Sequence, residues 1–233
     1  MTRSDLRRAW AVAWKDLLTE RRAKAAFNAM TFFAGLTLFT FGFAIGPDSP
    51  GGGEGRLLEQ LAPGLLWIAI LFAGVLAVDR SFQLEAERGG LEALRLYPGD
   101  RKAIYFGKLL ANLVVMVALE VVLLPIAAVL YSLDLWPGLP ALAAVVGLAT
   151  LGFAAMGTFY AALTVHLRAR QVLLPLLLFP MLIPVVIAAV KASTLALHGD
   201  PMHEFGSWMR LLGAADLLFL TVCARAFEFV LED

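Results

Sequence analysis

Six stretches of this chain, at 25–45, 61–78, 103–131, 139–165, 172–190 and 211–230, are largely apolar and long enough to cross a bilayer. A spanning helix needs about 20 such residues, because inside hydrocarbon every backbone N–H and C=O must find its partner within the helix. Repetition of that length excludes a soluble core. Of the 233 residues, 60% are hydrophobic and 16% charged, against about 45–50% and 25% in soluble domains. The expected fold class is an all-α integral membrane protein with six transmembrane helices. The glycine- and proline-rich connector at 46–53 and the tight turn at 134–138 are too short to fold alone, so 1–233 reads as one membrane domain.

Net charge is zero, so it is the placement of charge that carries information. With the amino terminus in the cytoplasm, 16 of the 19 Lys and Arg fall on that side, leaving Arg56, Lys191 and Arg210 outside. This asymmetry follows the positive-inside rule. It predicts that both termini, the 79–102 segment and the 166–171 turn are cytoplasmic. At 3–24, Leu6, Trp10, Ala13, Trp14, Leu17 and Leu18 recur at helical spacing among Arg3, Arg7, Arg8, Lys15, Arg21 and Arg22. That pattern predicts a helix lying in the membrane interface, with tryptophans at headgroup depth and basic groups on anionic lipid. No short apolar stretch with a cleavage site follows it, so it is expected to remain on the mature protein.

The longest charged interval between apolar runs is 79–102. Phe82, Leu84, Leu91, Leu94 and Leu96 set one face against Arg80, Glu85, Glu87, Arg88, Glu92 and Arg95, broken at Gly89-Gly90 and stopped at Pro98-Gly99. The pattern predicts a short amphipathic surface helix. A solvated connector between two spans fits the same periodicity.

The motifs of chemistry are missing. A GxxxxGK[ST] phosphate loop fails at Gly107-Lys108, where Lys102 stands in place of the first glycine and Leu109 follows. HExxH and GxSxG are absent, His166, His198 and His203 are dispersed, and the single Cys223 lies in an apolar run. No catalytic, metal or tightly held cofactor site is expected, and no ATPase site of its own. Glu120 and Asp216 do fall inside spans, where a charge costs at least about 2.5–3.5 kcal/mol. Both are expected to face protein or water, either lining a substrate path or making structural hydrogen bonds between helices. Pro125, Pro175, Pro180 and Pro184 sit where each removes a backbone hydrogen bond and permits a kink. Gly147, Gly152 and Gly157 in the fourth run are expected to serve close helix packing.

Several of these residues carry a resemblance. Asp79-Arg80-Ser81-Phe82, Gly90-Leu91-Glu92-Ala93-Leu94, Pro98 and Gly107-Lys108 resemble the cytoplasmic loop of the CcmB family, the permease subunits of the cytochrome c maturation system. Gly152-Phe153-Ala154-Ala155-Met156-Gly157-Thr158 with Arg168-Ala169-Arg170 is similar. So are Leu174-Pro175 through Ile187, and Ala215-Asp216-Leu217-Leu218-Phe219.

The resemblance implies one half of an ABC exporter-type permease in the bacterial inner (plasma) membrane. It would pair with a CcmA-like ATPase, beside CcmC-like and CcmD-like membrane subunits and a CcmE-like haem chaperone, with two copies per complex. It further implies that 79–102 is a coupling helix docking the ATPase through Asp79, Arg80, Phe82, Arg88, Leu91, Glu92 and Leu94, with Arg168 and Arg170 as a second contact and 3–24 as an interfacial elbow. Haem is implied as a substrate rather than a bound cofactor, with ATP driving either its export or the release of the haem-loaded chaperone. The chain lacks the WWD motif of haem-holding partners, and His198 and His203, on the outer side, are of a type able to ligate iron but are expected in exposed loops where nothing builds a pocket. A permease for another amphipathic substrate and a non-transporting scaffold remain as alternatives; no nucleic-acid partner is expected.

Overall fold

The computed structural model describes residues 3–22, 24–46, 57–87, 101–165, 167 and 169–230. Among them are seven helices and no strand: α1 (Arg3–Arg22), α2 (Lys24–Ile45), α3 (Leu57–Glu87), α4 (Arg101–Tyr131), α5 (Leu139–Thr164), α6 (Arg170–His198) and α7 (Phe205–Val230). Five of these helices, α2 to α6, contain stretches long and apolar enough to cross a membrane. The sixth expected run lies in α7, which is not among the five and carries Arg210, Asp216, Arg225 and Glu228 along its 26 residues. It nonetheless packs in the same bundle, against α4, α5 and α6.

At the expected surface helix the structure departs from the sequence reading. Between Val78 and Glu87 there is no glycine or proline to stop a helix, and α3 continues unbroken through Glu87. Asp79 to Glu87 are therefore the last turns of α3 rather than the start of a separate amphipathic helix. The rest of that segment, with Arg88, Leu91, Glu92 and Leu94, lies outside the described residues, as does Arg168.

The bundle is organised around α5, which touches α3, α4, α6 and α7. Its buried face is built of small residues, among them Gly152, Ala154, Ala155, Gly157, Thr158, Ala161 and Ala162. Without a hydrophobic drive between helices in lipid, such residues let backbones approach and gain dispersion contact. A methyl group on Gly157 would stand 3.0 Å from Val78 Cγ1, and one on Gly152 only 2.5 Å from Asp216 Oδ1. Gly147 has no neighbour within 4 Å, so the packing expectation fails there. The helices run continuously through Pro63, Pro125, Pro175, Pro180 and Pro184. Pro125, Pro180 and Pro184 lie on exposed faces.

The periphery is apolar. α2 turns Phe32, Phe33, Phe39 and Phe43 outward, and Val129, Leu176 and Leu217 continue the same surface on other helices. So much exposed hydrocarbon suits lipid or a partner rather than water.

In α1 the faces are divided. Asp5, Ala9 and Ala13 are buried, while Trp10 and Trp14, 59% and 53% exposed, stack on each other on the outer side. α1 packs chiefly on α4. A side chain at Gly107 would meet the Ala9 carbonyl oxygen at 2.6 Å and Val12 Cβ at 2.7 Å, so this close crossing depends on glycine.

Candidate functional site

Where α1, α3 and α4 meet, four ionisable side chains converge on one another. Lys108 on α4 is fully buried. Its Nζ lies 2.9 Å from Asp16 Oδ2 on α1 and 3.4 Å from Glu85 Oε1 on α3, and donates a hydrogen bond of 3.1 Å to the Ser81 carbonyl. Beneath it the Phe82 ring lies 5.0 Å away, centroid to nitrogen, in cation–π range. Lys15 closes the cluster by donating to Glu85 Oε1 and lying 3.2 Å from Asp16 Oδ1. Two ammonium groups thus face two carboxylates.

This arrangement satisfies the condition under which a buried charge is tolerated. An ammonium has three donors and no acceptor, and Lys108 has three oxygen partners on two different helices. Breaking such a pair from one side typically costs about 3–5 kcal/mol, because the remaining charge is stranded. Burial alone depresses the Lys15 pKa, but the Glu85 hydrogen bond and the charges of Asp16 and Glu85 outweigh it and leave the pKa above its ordinary value. Next to the cluster, burial raises the Glu20 pKa, and the Arg80 charge only partly offsets it.

Of the residues expected to couple to an ATPase, four can be placed. Phe82 is buried under Lys108 and Arg80 faces Glu20 on α1. Asp79 lies within electrostatic reach of Arg170 at the start of α6, so the structure brings together two of the expected contact residues. On the other side of the 88–100 segment, Arg101 Nη1 donates to the Glu228 carbonyl at 3.0 Å, and Lys102 pairs with the Glu228 carboxylate at 3.0 Å. The root of that segment on α3 is thereby fastened to α1, α4 and α6, and the root on α4 to α7.

The two expected intramembrane acids are both buried, at 1% exposure for Glu120 and 4% for Asp216. Thr150 Oγ1 bonds to Glu120 Oε1 at 2.6 Å, and Asn112 Nδ2 donates to Thr158 Oγ1 at 3.0 Å. These pairs are eight residues apart on both helices, which makes them rungs between antiparallel α4 and α5. Lys108, Asn112, Met116 and Glu120, four residues apart in turn, form one buried line along α4. Asp216 reaches α5 from elsewhere, resting over Gly152. Thr150 and Gly152 are about 200° apart around the helix, so the two acids approach the middle of α5 from opposite sides. Glu120 Oε2 and both Asp216 oxygens receive no hydrogen bond from any described residue.

Other expectations resolve simply. Cys223 is buried, with its sulfur 3.4 Å from Met156 Sδ. His198 and His203 are exposed, and no group of three metal-ligating side chains forms among the described residues. What the sequence reading missed is the buried role of Lys108, which entered there as a cytoplasmic cation, a failed phosphate-loop residue and part of the family resemblance, and its pairing with Asp16 and Glu85. The available signal was a lysine six residues into an apolar run.

The chain is similar to known proteins along most of its length. The family model described as CcmB protein matches residues 7–232. Proteins named heme exporter protein B are similar along most of their length. That of Pseudomonas aeruginosa is 33% identical over 201 residues, 86% of each chain. That of Paracoccus denitrificans is 34% identical over 195 residues, covering 82% of this chain and 85% of its own, and that of Escherichia coli K12 is 32% identical over 207 residues, covering 88% and 89%. With the family model matched along nearly the whole chain, this multi-pass helical membrane protein belongs to the CcmB family.

Proposed function

We propose that the chain is the membrane subunit of an ATP-driven complex for cytochrome c maturation, acting in haem export or in the release of haem-loaded chaperone. The name borne by its relatives, heme exporter protein B, supports the substrate class. A separate CcmA-like ATPase supplies hydrolysis, two copies of this chain form the pump, and CcmC-like, CcmD-like and CcmE-like partners handle haem. α7 makes the sixth crossing, since it matches α5 in length at 26 residues and packs beside α5 and α6. Both termini and the 79–102 segment face the cytoplasm of a bacterial inner membrane.

One observation carries the coupling role: buried Lys108 ties α4 to the α3 end of the 88–100 segment and to α1 at the same point. A push on that segment is then delivered to three helices together rather than absorbed by a hinge. α1 serves as the elbow, its exposed tryptophan face held at the membrane surface.

The proposal is tested by reversing charge at Arg88 and Glu92 together. Close interfacial charge pairs are worth about 2–5 kcal/mol when broken, so the double variant should insert normally yet lose ATPase co-purification and cytochrome c maturation. Unchanged ATPase recovery at matched expression contradicts docking through this segment.

A further inference from the structure

We infer that the elbow between α1 and α2 holds a discrete anionic phospholipid, with phosphatidylglycerol as the fitting chemistry. A groove of about 400 Å³ opens there between the end of α1, the start of α2 and the outer face of α4. Its walls are hydrocarbon apart from Asn28: Phe27 from α2, with Val114 and Ala118 from α4, the last two exposed on the outer face of the bundle. Its rim is basic. Arg21 and Lys24 line the groove and are exposed. Glu20, also in the lining, has a buried Oε1 that receives no hydrogen bond from any described residue.

These three elements match the parts of one lipid. The phosphate meets Arg21 and Lys24, a headgroup hydroxyl donates to Glu20 Oε1, and an acyl chain lies along Val114 and Ala118. Arg80 already faces Glu20, so the four charged groups sum to a net positive rim that favours an anionic headgroup over a zwitterionic one. Choline offers no donor for Glu20. The exposed Trp10–Trp14 face lies on the same side of α1 as Arg21, and such tryptophans favour the membrane interface. The site is independent of the haem-export reading.

The test is native mass spectrometry of the full chain, exchanged into micelles holding equimolar phosphatidylglycerol and phosphatidylcholine of identical acyl chains. Wild type should retain one phosphatidylglycerol. Each basic group near a membrane surface contributes enough that Arg21→Glu with Lys24→Glu should lower retention by at least about tenfold. Val114→Trp, which fills the groove from an exposed position, should lower it as well, whereas Arg210→Glu in α7 should not. Equal retention of the two lipids, or retention unchanged in the double variant, overturns the site. A Soret titration on the same variants completes the test: haem binding that is lost with Val114→Trp, while phosphatidylglycerol retention persists, also overturns it.

Discussion

The charge cluster at the α1–α3–α4 junction and the pair of acids on opposite sides of α5 are both set among packed helices, yet they differ in how far their charges are partnered. Lys108 has three oxygen partners, and Lys15, Asp16 and Glu85 balance it in charge. Glu120 has one hydrogen bond, and Asp216 has none among the described residues. A fully partnered buried charge fixes geometry, because any relative movement of its helices strands it. A buried carboxyl short of partners fixes little and stays available to water, to a proton or to another subunit. The first region holds three helices together through partnered charges, and the second is where the bundle has polar capacity left over.

The largest expected effect breaks the first region. Lys108→Met should lower stability by about 3–5 kcal/mol, read by thermal unfolding of the purified chain in detergent. Lys15→Met, removing a half-exposed cation from the same cluster, should cost at most about 1 kcal/mol. Equal losses for the two would erase the distinction between a buried brace and its solvated rim.

In the second region, Gly152→Ala places a methyl group 2.5 Å from Asp216 Oδ1 and should destabilise by about 1–3 kcal/mol through overpacking. Combining it with Asp216→Ala should recover most of that loss, since the clash disappears with the carboxylate. Strictly additive effects would show that α7 does not rest on α5 as described.

Smaller again is Glu120→Gln. Thr150 can still donate to the amide oxygen, so stability should change by no more than about 1 kcal/mol. A much larger loss would mean that the Glu120 charge itself holds the helices.

The smallest expected effect depends on pH. Because the folded Lys15 pKa lies above its ordinary 10.5, its contribution is complete below that value and is lost as pH rises through the folded pKa. Tryptophan emission from Trp10 and Trp14 should be flat from neutral pH to about 10 and shift only above it. Lys15→Met should flatten the high-pH shift.

The spans were legible because bilayer thickness imposes a length that apolar runs must meet, and α2 to α6 meet it. The small-residue face of α5 was legible for a similar reason at Gly152 and Gly157, though composition could not separate them from Gly147, which has nothing to approach. The end of α3 was misread, since alternation of Phe82 and Leu84 with charged residues reports a face and not where a helix stops. Lys108 escaped notice for a physical reason: a lysine near the end of a span ordinarily snorkels to water. It is buried here only because α1 crosses over Gly107 and brings Asp16 to it. No local pattern around position 108 encodes a partner from the start of the chain. The acids at 120 and 216 were found because charge inside an apolar run is conspicuous; their meeting α5 from opposite sides depends on tertiary packing.

In the proposed coupling role, Lys108 makes the roots of the 88–100 segment move with α1. Cytochrome c maturation in cells carrying Lys108→Met at matched membrane levels, with ATPase co-purification measured alongside, tests it most directly. The expected result is a subunit that inserts and still recovers the ATPase, while maturation falls at least about tenfold, equivalent to about 1.4 kcal/mol, because docking is no longer transmitted. Parental maturation with Lys108→Met would contradict it.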